Sequence, residues 1–310
     1  MNFIYCLDKN YNTQVTLSLY TLNQVTNSNI NVYIAHNKPE SLKKILSNYR
    51  FDNLKFNFLE IKNNLVLPNL KNAHVSEATY YRIFGINLLE KDLTHITYID
   101  SDILFNKDPY PLFKECINNL INSEFVISAN TIGEYKTDNQ ETKDYFDYLE
   151  MNDKYFNAGV ITYDLKKYRE DNIGQKIEKH LINFTKNARY WDQDILNTFF
   201  NGKYLELPET LNHNVVTDNK LVNMDKVFEN ITIHLAGKTK PWHVGGFKYP
   251  VGNYFQEKYK EVFNKDYFIS PYSKLRHLKE IIDFLKNKSE YKINNFFKFL
   301  MICVLKFFKF

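Results

Sequence analysis

Apolar runs alternate with amphipathic stretches from the first residues onward. "NFIYCLD" is a short apolar run closed by the polar turn "KNYNTQ", and the next segment puts Val15, Leu19 and Leu22 on one face of a helix. "NVYIAHN" predicts a second strand, and "SLKKILSNYR" an amphipathic helix with Ser41 as its expected N-cap. "LKFNFLEI" alternates as a third strand, "SEATYYRIFGINLL" reads as a helix and "HITYIDSD" as a fourth strand. Further on, "EFVISAN" and "FNAGVITYDLKKYRE" predict strands, the second running into a helix. "NARYWDQDILNTFF" predicts a helix entered through Trp191 and Asp192, and "NITIHLAGKTKPWHVGG" a strand leading into a Gly- and Lys-bearing loop. Strands alternating with helices predict an α/β fold with right-handed crossovers and a mainly parallel sheet. In such sheets ligands bind beyond the carboxyl ends of the strands. Asp8 and the pair Asp100/Asp102 stand at two such ends, so one cleft could gather them.

The pair sits between two apolar segments, Ile96 to Ile99 and Ile103 to Phe105. Charges in such a place are costly unless something pairs with them. Side chains two apart on extended backbone share a side, so both carboxylates could face one cation. A strand ending in an Asx-type turn, with the aspartates capping backbone N–H groups, accounts for the same pattern.

Composition narrows the class. With 310 residues, 44% of them hydrophobic, the chain can bury a large core. Its net charge of +4 is unevenly placed: residues 274–310 carry +6, leaving −2 for the rest. That distribution argues against a nucleic-acid footprint spread over the protein. Cys6, Cys116 and Cys303 lack metal or redox spacing and favour a reducing compartment. The opening "MNFIYCLDKN" lacks the pattern of a signal peptide, and no apolar run reaches the ~18–20 residues of a membrane-spanning helix. The expected location is the cytoplasm.

Six segments in order, "CLDKNY", "YYRIF", "YIDSDILF", "YFNAGVITYDLKKYR", "DQDILN" and "HLAGKTKPWH", resemble family 8 glycosyltransferases of the bacterial lipopolysaccharide galactosyl/glucosyl type. The resemblance runs from about Asn2 to Phe255. It implies a single GT-A type nucleotide-diphospho-sugar transferase domain, Rossmann-like, over 1–260, followed by a helical tail over 261–310. It also implies transfer of galactose or glucose from a UDP-hexose to a sugar acceptor with retention of configuration. Asp100, Asp102 and His234 match the family's metal triad, for which Mn²⁺, or Mg²⁺, is the expected ion. Asp8 and Tyr11 match positions that hold the base, with Cys6 offering backbone. Arg82 and Ser101 match donor-binding positions, and Gly237 and Lys240 match the diphosphate loop. Asn157, Asp192 and Gln193 match the sugar end, near the anomeric carbon. Asp192 reads equally well as a helix N-cap. A lone His234 would read as a satisfied strand-end histidine, but Gly237 and Lys240 at the family's spacing argue against that. Trp242, with His243, reads as a wall of the cleft and equally well as a core residue. Asn130 stands where the family usually has an aspartate, which leaves the identity of the sugar open.

In the tail, "NNFFKFLMICVLKFFKF" combines dense apolar residues with lysines, a pattern that fits a helix lying on an anionic membrane surface. The expected partners are thus a UDP-sugar, a glycan or glycolipid acceptor and the inner face of the cytoplasmic membrane. Two other readings accommodate the aspartates: a sugar-phosphate nucleotidyltransferase and a non-catalytic nucleotide-sugar-binding protein. The first normally shows a Gly-rich basic loop near its first strand, which "CLDKNYNTQ" lacks.

Overall fold

A computed structural model describes residues 1–61, 80–216, 222–237, 240–243, 246 and 249–265, with isolated positions from 278 to 304. The chain divides into two compact units, Met1–Asn212 and His213–Phe310. The first opens with β1 (Asn2–Leu7), α1 (Asn12–Val25), β2 (Ile30–His36), α2 (Pro39–Leu46) and β3 (Leu54–Glu60). Then come α3 (Tyr81–Gly85), β4 (His95–Ile99), β5 (Ile103–Phe105), α4 (Tyr110–Ile121) and β6 (Ile127–Glu134). It closes with α5 (Gln140–Leu149), β7 (Lys154–Asp164), α6 (Leu165–Glu170), α7 (Ile173–Asn183), α8 (Asp192–Phe200) and β8 (Leu205–Glu206).

The described sheet has the order β3-β2-β1-β4-β7-β6-β8. Strands β3, β2, β1 and β4 run parallel, β7 is antiparallel to β4 and β6, and β8 is parallel to β6. The expected α/β sheet is thus present, with one reversed strand inserted. Every residue of β1 is buried, as a strand covered on both faces requires. Ile4 and Cys6 join Ala35, Tyr81, Ile83 and Tyr98 in the core of one face. Phe3 points the other way, 5.3 Å edge-on from Phe113 of α4, and the Tyr5 hydroxyl meets Ser18 of α1 at 3.1 Å. Gly85 of α3 lies so close to the sheet that a Cβ there would come within 2.7 Å of Cys6 Sγ and 3.3 Å of Ala35 Cβ.

Two helix starts differ from the sequence reading. Helix α2 begins at Pro39, whose fixed φ suits a first turn, with Lys38 in the cap position. Ser41 is therefore helical, and its hydroxyl donates to Lys38 O and accepts from Asn12 Nδ2. The stretch read as one long helix shows α3 followed by a 3-10 turn, Ile86–Leu88, while residues 76–79 fall outside the described part.

The second unit contains α9 (Met224–Phe228), β9 (Thr232–His234) and α10 (Pro250–Phe263). Trp242 is buried there, with its ring 5.3 Å from Phe255 of α10, so the core reading of this tryptophan holds. Most of the lysine-rich tail lies outside the described residues.

Candidate active site

Strand β4 delivers Tyr98, and the chain leaves the sheet at Asp100, whose N–H donates to Gly159 O of β7 at 2.8 Å. Tyr98 and Asp100 share a side, as the two-residue repeat requires, and the Tyr98 hydroxyl donates to Asp100 Oδ1 at 2.5 Å. Ser101 and Asp102 follow and are both buried. Ile103 N–H returns to Asp100 O at 3.2 Å, so the aspartates do sit in a turn, and that turn holds the two carboxylates at a strand end.

Arg82 organises this end of the sheet. Its Nη2 lies 3.2 Å from Asp100 Oδ1, its Nη1 donates to Ala158 O at 2.5 Å, and its guanidinium covers the Tyr98 ring at 4.6 Å. Its Nε meets Asp192 Oδ2 at 2.5 Å as an ion pair whose angle is too poor for a hydrogen bond. One nearly buried cation thus serves two carboxylates. Burial opposes the charge on Arg82, but Asp100 and Asp192 outweigh it and hold the guanidinium above its ordinary pKa. Burial pushes the Asp192 carboxyl above the ordinary range, against the pull of Arg82.

Asp192 is the first residue of α8 and Trp191 occupies the cap position, so the N-cap alternative for Asp192 is replaced by an ion pair at a helix start. Trp191 has φ 49° and ψ −120°, a region that costs a bulky residue of the order of 1–3 kcal/mol. Next to it, Gln193 is held at both ends of its amide: Oε1 accepts from Ala158 N–H at 3.0 Å, and Nε2 donates to the Tyr155 hydroxyl at 3.1 Å.

Asn157 belongs to the same cluster. Its Oδ1 accepts from Gly159 N–H at 2.8 Å and from Asn212 Nδ2 at 2.9 Å. A bulge between Ala129 and Asn130 shifts the register so that Asn130 pairs with Asn157 across β6 and β7. Asn130 is buried, and its Nδ2 reaches Leu207 O at 3.4 Å. Asp192, Gln193, Asn157, Asn130, Arg82 and Asp100 are therefore gathered within one unit.

At the end of β1, Cys6 is buried, and burial pushes its thiol far up, so it is a packing residue whose backbone alone is available for contact. Asp8 caps the 3-10 turn Lys9–Tyr11: Oδ1 accepts from Asn10 N–H at 2.8 Å and Oδ2 from Asn10 Nδ2 at 3.2 Å. Two ionised oxygens offer about four acceptor positions, so this capping leaves room for another donor. Tyr11 is half-buried where α1 begins.

In the second unit, His234 ends β9 and is buried. Its N–H donates to His213 O and its carbonyl accepts from Val215 N–H, each at 2.9 Å. Gly237 has φ 90°, with open space where a Cβ would stand, so a glycine is favoured there for its backbone. Lys240 Nζ donates to Leu235 O at 2.9 Å and lies 5.8 Å from the Trp242 ring centroid.

The sequence assigns acceptor contacts to the Tyr135–Tyr155 stretch and the Thr210–Asp225 loop only as segments, and gives Asp194, Tyr145, Tyr155 and Asn212 no individual role. An acid in the first turn of a helix is ordinarily explained by the helix dipole, which hides the other work Asp194 does. The tyrosines lie in a stretch without periodic signal.

The family model described as "Glycosyl transferase family 8" matches residues 2–245. A lipopolysaccharide 1,2-glucosyltransferase of Escherichia coli strain K12 is 28% identical over 220 residues, covering 68% of this chain and 60% of the relative. General stress protein A of Bacillus subtilis strain 168 is 25% identical over 269 residues, 78% of this chain and 87% of that one. Among solved structures, the galactosyltransferase LgtC in complex with donor and acceptor sugar analogues superposes with a TM-score of 0.58 at 21% identity. The match covers 85% of this chain and 96% of LgtC.

Proposed function

The chain belongs to glycosyl transferase family 8, and we propose that it moves a hexose, galactose or glucose, from a UDP donor to a sugar of a lipopolysaccharide or other surface glycan, with retention of configuration. The observation that carries this reading is the Arg82 bridge. It ties the carboxylate leaving β4 to the first turn of α8, beside the amides of Asn157 and Gln193. Such a cluster suits a polar, hydroxyl-bearing ligand lying next to a charged group. The relatives' names point to the same chemistry.

In this proposal Asp8 accepts from the base, Tyr11 stacks on it, and Cys6 and Ser101 border the nucleoside. Gly237 and Lys240 hold the diphosphate, with Lys240 as a point charge. Asn130, Asn157, Asp192 and Gln193 hold the hexose. Asp100, Asp102 and His234 can each offer one ligand atom, and two carboxylates with an imidazole fit Mn²⁺ or Mg²⁺. What such an ion supplies is neutralisation of charge on the departing diphosphate. Gln193 is a poor nucleophile, which favours attack by the acceptor hydroxyl on the face that UDP leaves.

The catalytic region in this reading is 1–260, and 261–310 holds it to the inner face of the cytoplasmic membrane. Leu278, Ile282, Leu285, Met301 and Val304 are exposed, which supports an apolar contact there. Among the described residues no helix is long and apolar enough to cross a membrane. Retention on vesicles containing anionic lipid, lost on truncation at 260, is the expected result. Equal binding by the truncated chain removes the tail from the proposal.

A panel of nucleotide sugars tests the activity. Release of UDP from one UDP-hexose, dependent on Mn²⁺ and lost in Asp102→Ala, is the expected result. Absence of turnover with every donor, lipid-linked acceptor supplied, overturns it.

A further inference from the structure

The carboxylate of Asp194 is wholly buried in α8, two residues beyond the one that meets Arg82. Oδ1 accepts from the Tyr155 hydroxyl at 2.6 Å, and Oδ2 accepts from the Tyr145 hydroxyl at 2.7 Å and from Tyr190 N–H at 2.8 Å. A carboxylate so occupied is poorly placed to attack a sugar, yet burying a charge at this spot is expensive unless it is fully hydrogen-bonded. The explanation lies in what it does to Tyr155. By accepting the hydrogen bond of the Tyr155 hydroxyl, Asp194 leaves the lone pairs of that oxygen as the acceptor for Gln193 Nε2 at 3.1 Å. Burial and the adjacent Asp194 hold that hydroxyl protonated well beyond its ordinary range, so the direction of the bond is constant. At the other end of the amide, Ala158 N–H fixes Oε1. The neighbouring Ala158 carbonyl is in turn fixed by Arg82.

We infer that the relay Asp194–Tyr155–Gln193 sets which face of the Gln193 amide meets the sugar, making Asp194 and Tyr155 positioning residues for hexose transfer. A glutamine amide is otherwise free to turn end for end, which exchanges a donor for an acceptor. Two partners of opposite kind, a hydroxyl oxygen that accepts on one side and a backbone N–H that donates on the other, permit one orientation. The first turn of α8 therefore does two jobs: Asp192 meets the charge of Arg82, and Asp194 orients the residue between them. The inference rests on the proposed role of Gln193 at the sugar end of the donor.

Tyr155→Phe tests it, because the ring packing against Phe146, at 6.2 Å, is kept while the hydroxyl goes. Two readouts are used: kcat for hexose transfer, and the ratio of affinities for UDP-hexose and UDP measured by calorimetry, which needs no turnover. Both are expected to fall about tenfold in Tyr155→Phe, since small misplacements of a reacting-site group cost factors of this order or more. UDP affinity alone stays near wild type and Tm shifts by a few degrees. In a Gln193→Ala background, Tyr155→Phe produces no further fall, because the group it orients is gone. Equal losses in both backgrounds overturn the relay, and so does a fall in UDP affinity and Tm with the ratio unchanged. If Gln193→Ala alone leaves kcat and the ratio at wild type, Gln193 does not touch the hexose and the inference fails while UDP-hexose still binds. If the wild type binds no UDP-hexose, the functional reading itself is wrong.

Discussion

Replacing Arg82 by methionine leaves the carboxylate of Asp192 buried with its countercharge removed. In the native protein the Arg82 side chain is 11% exposed and that of Asp192 3%, so solvent screens this pair little. Breaking a buried pair by removing one partner costs about 3–5 kcal/mol, and here the Asp192 carboxyl, already pushed up by burial, takes a proton once Arg82 is gone, so the lower end of that range is expected. The Nη1 bond to the Ala158 carbonyl and the bridge to Asp100, the more exposed of the two acids, are lost as well. Urea unfolding followed by circular dichroism measures the change as a shift in midpoint at constant slope. The deciding variant is the double one. Arg82→Met with Asp192→Asn removes charge from both sides and is expected to recover more than half of the lost stability. Arg82→Lys is expected to recover less, because a single ammonium cannot face Asp100, Asp192 and a carbonyl in one plane. A cost below ~1 kcal/mol for Arg82→Met, or a double variant no more stable than the single one, would refute the claim that this cation holds the two acids together.

Other outcomes follow from the packing and the buried histidines. Gly85→Ala forces a methyl against Cys6 Sγ and Ala35, and is expected to cost ~1–3 kcal/mol in thermal or urea unfolding. Adding Cys6→Ala should restore part of that cost, and no restoration would show that the close approach lies elsewhere. His36 is buried with Nδ1 accepting from Lys38 N–H at 2.7 Å and Nε2 at 2.8 Å from Asn12 Oδ1. Protonation would set a second N–H against the Lys38 donor. Burial lowers the pKa of His36 below 6.5, with Asp8 opposing, so its contribution is fully present above pH 6.5 and is lost as pH falls through the folded value. The fall in urea midpoint between pH 7.5 and 5.5 is expected to shrink in His36→Gln, and an unchanged slope would remove His36 as its source.

Legibility followed the range of the interactions. Strands β1, β2 and β4 announced themselves as apolar runs, because each is covered on both faces and has little room for polar residues. The aspartates after β4 stood out because charge is rare between two such runs. The reversal of β7 left no trace in composition, since a strand buried on both faces reads alike in either direction. Ser41 carried a genuine capping signal, but Pro39 already begins the helix and a distant Asn12 takes the hydroxyl. For Asp192 the sequence offers a helix cap and a sugar contact equally; the cap position belongs to Trp191, and the ion pair with Arg82, remote in the chain, leaves no sign in the local pattern. Tyr155, Asp194 and Asn212 carried no individual signal for the same reason: each bonds a partner that periodicity does not reveal.

The backbone at Trp191 has a consequence for how this protein could change. Glycine would occupy φ 49°, ψ −120° with less strain, although it would lose the indole packed against the core. Selection for robustness alone therefore pulls this position toward a residue that relaxes the turn into α8. Selection for transfer pulls the other way, toward a turn whose geometry is held under tension and sets down Asp192, Gln193 and Asp194 in one fixed order. Position 191 is a place where an improvement in endurance and an improvement in turnover are expected to part company.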